Sequence, residues 1–227
     1  MFVFDASASY GRRRGSSSSI SAATKVAMPN IAPRVMVYPH GAPTPSAEEG
    51  WIALPMLPRV SGSAVVFGDG SHATTRLCAA AVDLLCRQRR PDAVLDVGTG
   101  SGVLARIARA RGARFIVGTD IDPAALASAR AHAALDGNEV EIRCSADLPE
   151  HWGARFDLVV ANILEAPLLS LARALADALR PGGVLLLSGF TRVQGPALRQ
   201  VYENVGLTYE RHSDLDEWTL LMFARGS

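Results

Sequence analysis

From residue 74 to its C-terminus the chain alternates between two hydrophobic periods. Short apolar runs at 93–97, 114–119, 139–144, 156–162 and 184–188 read as strands. The run at 156–162 is apolar through its centre, as expected of a strand buried on both faces. Between the runs, apolar residues recur at helical spacing over 103–111, 122–135 and 194–205, and a further helix is expected to begin near Pro167. Another should run to about residue 90, capped by Thr74 or Thr75. Asp122-Pro123 reads as N-cap and first-turn proline, with Gly137 closing that helix, and Pro181-Gly182-Gly183 reads as a turn. Residues 208–212 and 218–224, around 213–217, read as a closing hairpin. Alternating strands and helices predict an α/β fold: a seven-stranded, mostly parallel sheet with helices on both faces and an antiparallel C-terminal hairpin.

The first part of the chain follows neither period. Residues 1–33 are rich in Ser and Ala, carry Arg12-Arg13-Arg14 and a single acid, Asp5, and end in prolines. They read as a flexible N-terminal arm, with an organellar transit peptide as the minor alternative. Strand-like pieces at 34–38, 51–57 and 64–67 suggest a short β-rich lead-in or lid over 34–67, ahead of the main domain at 68–227.

Composition narrows the possibilities. With 227 residues, 48% of them hydrophobic, the chain can build one sizeable core plus an appendage. The 23 basic and 22 acidic side chains leave a net charge of +1, which gives no global electrostatic case for nucleic acid. Cys78, Cys86 and Cys144 have no metal-site spacing, and the first two read as buried thiols in a helix. A reducing cytoplasm fits best. No apolar run approaches the roughly 20 residues needed to cross a membrane.

The candidate chemistry centres on Val94-Leu95-Asp96-Val97-Gly98-Thr99-Gly100-Ser101-Gly102. A buried strand runs out at an acid, and three glycines let the chain turn sharply and bring backbone N–H groups against a ligand. Further on, Asp120 ends the next strand, where a carboxylate can accept hydrogen bonds from both hydroxyls of a ribose. Dinucleotide enzymes share this outline, but their fingerprint wants glycines at the first, third and sixth positions; counted from Gly98, the sixth is Val103. Phe67-Gly68-Asp69-Gly70-Ser71-His72-Ala73-Thr74-Thr75 is a tight polar loop, either a plain loop and helix cap or a cover over the ligand. Asp147 could meet an adenine amino group or be a solvated loop acid. Asn162, at the carboxyl end of the fourth strand, could orient an amine through its side-chain oxygen or cap the following helix.

The acid, the three glycines and the spaced second acid resemble motif I of class I S-adenosylmethionine (SAM) methyltransferases. The likeness sharpens in sequence order. Residues 67–75 are similar to the Phe-Gly-Thr-Gly-Thr-His-Pro-Thr-Thr loop of the ribosomal protein L11 methyltransferase family, and 96–104 to its glycine loop. Asp120-Ile121-Asp122-Pro123 resembles its second acidic motif, Ala161-Asn162-Ile163-Leu164 its post-strand motif, and Glu217-Trp218 its C-terminal Glu-Trp pair. The likeness covers about residues 65–225. It implies a Rossmann-like fold, SAM as cofactor and S-adenosylhomocysteine as product.

That resemblance would place Thr75, Gly98, Asp120 and Asn162 around SAM, with His72 and Thr74 in the covering loop. Asp96, Thr99, Gly100, Ile121 and Asp147 complete the expected binding set. Asn162 would position a nitrogen nucleophile, and His72 or Asp69 would relay its proton. Three residues depart from the family pattern: Asp69 for Thr, Ala73 for Pro, and Thr99 for a frequent Cys. Only 66 residues precede Phe67, so the family's N-terminal recognition domain is expected to be absent or replaced. The expected reaction is therefore N-methylation of a small molecule or short peptide. The alternatives are a protein N-methyltransferase of L11 type and a non-catalytic SAM-binding protein. Asn-Ile-Leu after the fourth strand departs from the Asn/Asp-Pro-Pro-aromatic sequence of nucleic-acid base methyltransferases, and no membrane partner is expected.

Overall fold

The computed structural model describes residues 2–3, 34–46, 49–57, 70–137, 142–145 and 153–227. The expected strand at 64–67, most of the arm at 1–33, Asp69 and Asp147 lie outside the described residues.

A lead-in sheet comes first. β1 (Phe2–Val3) pairs antiparallel with β2 (Val35–Pro39), which pairs in parallel with β3 (Ile52–Met56). A flexible arm predicts no strand there, so β1 is an addition to the sequence reading. Val35, Val37, Ile52 and Leu54 join the main core, so the lead-in is not a separate domain.

The large sheet has seven strands in the order β6-β5-β4-β7-β8-β10-β9. β4 (Ala93–Val97), β5 (Phe115–Thr119), β6 (Ile142–Ser145), β7 (Phe156–Asn162) and β8 (Leu179–Thr191) are parallel; β9 (Leu207–Leu215) and β10 (Trp218–Arg225) close it as an antiparallel hairpin. The helices are α1 (Ala73–Arg89), α2 (Val103–Ala110), α3 (Pro123–Ala134), α4 (Glu165–Ala178) and α5 (Gly195–Asn204). β5 lies on one side of β4 and β7 on the other, so strand order reverses between β4 and β7. In open α/β sheets ligands bind outside the carboxyl ends of the strands at such a point.

The two sheet faces bury separate cores. Val94, Leu158, Val160, Val184, Leu186, Leu220 and Met222 face α1 and α2. Leu95, Val97, Val159, Ala161, Leu185, Leu187 and Phe223 face α4 and α5. Side chains alternate with period two along a strand. That parity puts Asp96 of β4, Asn162 of β7, Ser188 of β8 and Trp218 of β10 on the α1 face.

Several boundaries differ from the sequence expectation for physical reasons. α1 is capped by His72, whose Nδ1 accepts the Thr74 N–H at 3.3 Å; Thr74 and Thr75 fall inside the helix. α4 begins at Glu165, because Pro167 sits in the first turn, where its missing N–H costs nothing. Its N-cap is Leu164, so Asn162 is a strand residue and not a cap. β8 starts at Leu179, five residues before the expected strand, because Leu179 already pairs with Phe156; the Pro-Gly-Gly segment then bulges out, with Gly182 at φ 76°, before pairing resumes between Val184 and Leu158. β6 is described from Ile142 to Ser145, and the expected start at 139–141 lies outside the described residues. The hairpin strands zip further, to a Leu215–Trp218 pair, leaving Asp216 at φ 55°. α3 follows the sequence closely, with Asp122 accepting the Ala124 N–H at 2.8 Å ahead of Pro123.

Candidate active site

Asp96 is 1% exposed and sits on the α1 face of the sheet. Its Oδ2 accepts from the Thr99 hydroxyl at 2.7 Å and from the Ala105 N–H at 3.3 Å. Its Oδ1 is buried with no hydrogen-bond partner. Burial pushes the carboxyl up to about 6; the Thr99 and Ala105 donors oppose this, and the charge of Asp120 adds to it.

The glycine turn works differently from the sequence expectation. The Gly98 and Thr99 N–H groups both donate to the Thr119 carbonyl, at 2.8 and 2.9 Å, and Gly102 donates to the Thr99 carbonyl. Gly100 N–H donates to Asp120 Oδ2 at 3.0 Å. These amides therefore stitch the turn to β5 and do not point at a ligand. What the turn provides is close approach. Gly98 lies at φ 70°, and a Cβ there would stand 2.1 Å from Ile163 Cγ2. A Cβ on Gly118 would stand 2.9 Å from Thr99 Oγ1, so Gly118 is needed for Thr99 to reach Asp96. Gly118 escaped the sequence reading, because its partner is a side chain across two strands.

Asp120 is held at both oxygens: Oδ2 by Gly100 and Oδ1 by the Asp122 N–H at 3.0 Å. Beside it Ile121 is 87% exposed, an unusual place for a large apolar side chain. Thr75, in the first turn of α1, is 1% exposed, and its Oγ1 has no partner. Asn162 Oδ1 is likewise buried and unpartnered. Ile163 follows Asn162 and is clamped between turns: a Cβ on Gly189 would stand 2.3 Å from its carbonyl oxygen.

His72 is committed to the cap. Its Nδ1 contacts both the Thr74 N–H and the Thr74 Oγ1, the latter at 2.9 Å, and its ring meets Trp218 edge-on at 4.8 Å. A neutral imidazole that accepts at Nδ1 carries its proton on Nε2. Farther out, Gln194 accepts from Thr191 and donates to Glu165 at 2.5 Å, tying the β8 exit to the start of α4. Neither Gln194 nor Glu165 stood out in the sequence, since only the fold brings them together.

The structure thus gathers Thr74, Thr75, Asp96, Gly98, Thr99, Gly100, Asp120, Ile121, Asn162 and His72 around the carboxyl ends of β4, β5 and β7 and the start of α1. Two facing carboxylates and three orphaned oxygens, those of Thr75, Asp96 and Asn162, call for a ligand with cationic and hydrogen-bond-donating groups. SAM, with a sulfonium and an ammonium, fits that donor set.

A strand order reversing at β4/β7, with an acid–glycine turn outside it and a terminal antiparallel hairpin, defines a class I SAM-dependent methyltransferase fold. A SAM-dependent methyltransferase from Mesorhizobium loti shares the fold with a TM-score of 0.51 at 19% identity, over 66% of this chain and 100% of that one. More specifically, the family model of ribosomal protein L11 methyltransferase (PrmA) matches residues 30–226, and the chain belongs to that family. It is 43% identical over 161 residues to the ribosomal protein L11 methyltransferase of Geobacter sulfurreducens, covering 70% of this chain and 52% of that protein. With the Burkholderia ambifaria (strain MC40-6) protein of the same name it shares 40% identity over 192 residues, 83% and 56% of the two chains. The crystal structure of ribosomal protein L11 methylase from Lactobacillus delbrueckii subsp. bulgaricus superposes with a TM-score of 0.74 at 28% identity, over 86% of this chain and 96% of that one. The chain spans about half the length of the curated relatives it matches.

Proposed function

We propose that this chain transfers the methyl group of SAM to an amine nitrogen of a protein acceptor, in the manner of the L11 methyltransferases it resembles. The observation that carries the reading is the trio of buried, unpartnered oxygens on Thr75, Asp96 and Asn162, set where the family motifs converge. The names of its relatives put a protein acceptor ahead of the small molecule or short peptide expected from the sequence.

Bound SAM supplies an already activated methyl group, so the residues need only bind, orient and exclude water. In this reading Asp120 accepts the ribose hydroxyls and Ile121 covers the adenine. Asp147 meets the adenine amino group. Asp96 Oδ1 and Thr75 Oγ1 take up donors of the methionine end, Thr74 braces the covering loop, and Gly98, Thr99 and Gly100 give the cofactor room. Asn162 Oδ1 accepts an N–H from the acceptor amine and aims its lone pair. A lysine-type amine has a reference pKa near 10.4 and must lose a proton before attack. His72, with Nδ1 held by Thr74, serves as cap and wall; the amine gives its proton to solvent as it is buried, which lowers its pKa.

Calorimetric titration with SAM and S-adenosylhomocysteine, followed by radiolabelled methyl transfer to purified L11 and to a panel of small amines, tests the assignment. Micromolar cofactor binding with label in L11 is expected. Label confined to small amines would overturn the acceptor. Binding without any S-adenosylhomocysteine release in the presence of L11 would favour the non-catalytic alternative.

A further inference from the structure

We propose that the cavity between the C-terminal ends of α1 and α2, at the sheet edge remote from the glycine turn, is a binding site for a compact phosphate or pyrophosphate anion. The cavity encloses about 470 Å³ and is lined by Cys86, Arg87, Arg90, Pro91, Arg111 and Gly112. No part of the methyltransferase reading uses it.

Charge balance is the first argument. Asp83 is fully buried and is the carboxylate that meets this group. It accepts from Arg87 at 2.8 Å, from Arg111 at 2.7 Å and from the Arg34 backbone N–H at 3.2 Å. One carboxylate therefore faces two guanidiniums. Arg90 adds a third, exposed at the C-cap of α1 in the left-handed region, and among the described residues no acid pairs with it. Burial holds the Cys86 thiol neutral by pushing it up to about 12, so that wall adds no negative charge. The two helix C-termini each contribute roughly half a negative charge, which still leaves the cavity positive.

Unused hydrogen-bond capacity is the second argument. Arg87 Nε is buried without an acceptor, an unfavourable state unless a ligand or water satisfies it. Gly112 leaves the mouth open, with no atom within 4 Å of where a Cβ would stand. Guanidinium forks suit phosphate oxygens in both geometry and charge.

The neighbouring surface selects for size. Arg114 and Arg180 lie at the same sheet edge, but each is paired, with Asp92 and Asp157. With those two neutralised, unpaired charge beyond the cavity lining comes, among the described residues, from Arg89 at the end of α1, a cluster too short to track a nucleic-acid backbone and better suited to a phosphomonoester or pyrophosphate.

The test is titration of the full chain with inorganic phosphate and with pyrophosphate at constant ionic strength, alongside a ten-nucleotide RNA. Calorimetry and thermal shift serve as readouts. Saturable pyrophosphate binding is expected in wild type, weakened at least tenfold in Arg90→Glu and in Arg90→Asn, a residue that tolerates the left-handed cap. SAM binding should be unchanged in both variants. No saturable phosphate or pyrophosphate binding, equal binding in wild type and both variants, or an adventitious, chloride-competed response would overturn the site. RNA binding tighter than pyrophosphate would overturn the choice of ligand.

Discussion

Replacing Asp96 with Asn should separate the stability of the fold from the affinity of the site. Burial raises the folded carboxyl from 3.8 to about 6. The stability this group contributes is therefore fully present below 3.8 and lost as pH rises through about 6. At pH 8 a shift of about two units corresponds to roughly 3 kcal/mol spent in ionising a buried side chain. Asn keeps an oxygen for Thr99 and Ala105 and puts an uncharged amide where Oδ1 stands orphaned. That amide lacks an acceptor, which costs about 1–2 kcal/mol. The expected net gain is about 1–2 kcal/mol at pH 8, or a Tm higher by about 3–6 °C for a chain of this size. At pH 5 the wild-type carboxyl is mostly protonated in the fold, and the gain should vanish. Urea denaturation of both proteins at pH 5 and pH 8, with SAM titration at pH 8, measures all of this. SAM affinity should fall at least tenfold even as stability rises. A variant less stable than wild type at pH 8, or a gap that does not change with pH, would refute the reasoning.

Gly98→Ala should cost about 3 kcal/mol, from the left-handed backbone and the overlap with Ile163, and should abolish SAM binding in calorimetry. Asn162→Ala should lower kcat about 100-fold through misplacement of the nucleophile, while steady-state and binding assays show SAM Kd changed far less. His132 titrates with the opposite sign to Asp96. Its Nε2 accepts the Leu57 N–H at 3.1 Å, and burial lowers its pKa below 6.5. Its contribution is present above 6.5 and lost as pH falls toward the folded value. His132→Gln should therefore flatten the acid side of the denaturation profile. Because the two groups oppose each other between pH 5 and 7, only the single variants, not the wild-type profile, will expose either.

What the sequence disclosed was local. β7 at Phe156–Asn162 was legible because an apolar run ends at a polar residue, and α3 because Asp-Pro can hardly be anything but a cap and first turn. The acid–glycine turn and Asp120 were legible as a spacing. What remained hidden depends on which partner wins a hydrogen bond. Nothing in Gly98-Thr99-Gly100 tells whether its amides face a ligand or the Thr119 carbonyl, a neighbour only after β4 and β5 pair. The His72 cap was missed because an imidazole is an acceptor only in one tautomer. Nothing in the sequence marks Arg106 and Arg109 of α2 as buried, because helical spacing alone makes a charged residue look like part of a solvated face.

Those arginines explain why the lead-in packs as part of the main fold. Arg106 is fully buried, a costly place for a charge. It is compensated by Asp136, which takes its Nε at 2.8 Å and Nη2 at 2.6 Å, and by the Pro55 carbonyl at 2.8 Å and Met56 Sδ. Arg109 shares the same carboxylate and the Ala133 carbonyl. One charge network thus joins β3, α2 and α3, and His132 extends it to Leu57. The chain leaves this network at Leu57 and re-enters the described fold at Gly70, two residues before the α1 cap. The Leu57–His132 bond holds the end of the lead-in, and the His72–Thr74 cap, with Trp218 edge-on to the imidazole, holds the start of α1. The buried arginine that costs so much alone is then what fastens β3 to the helices beside the site.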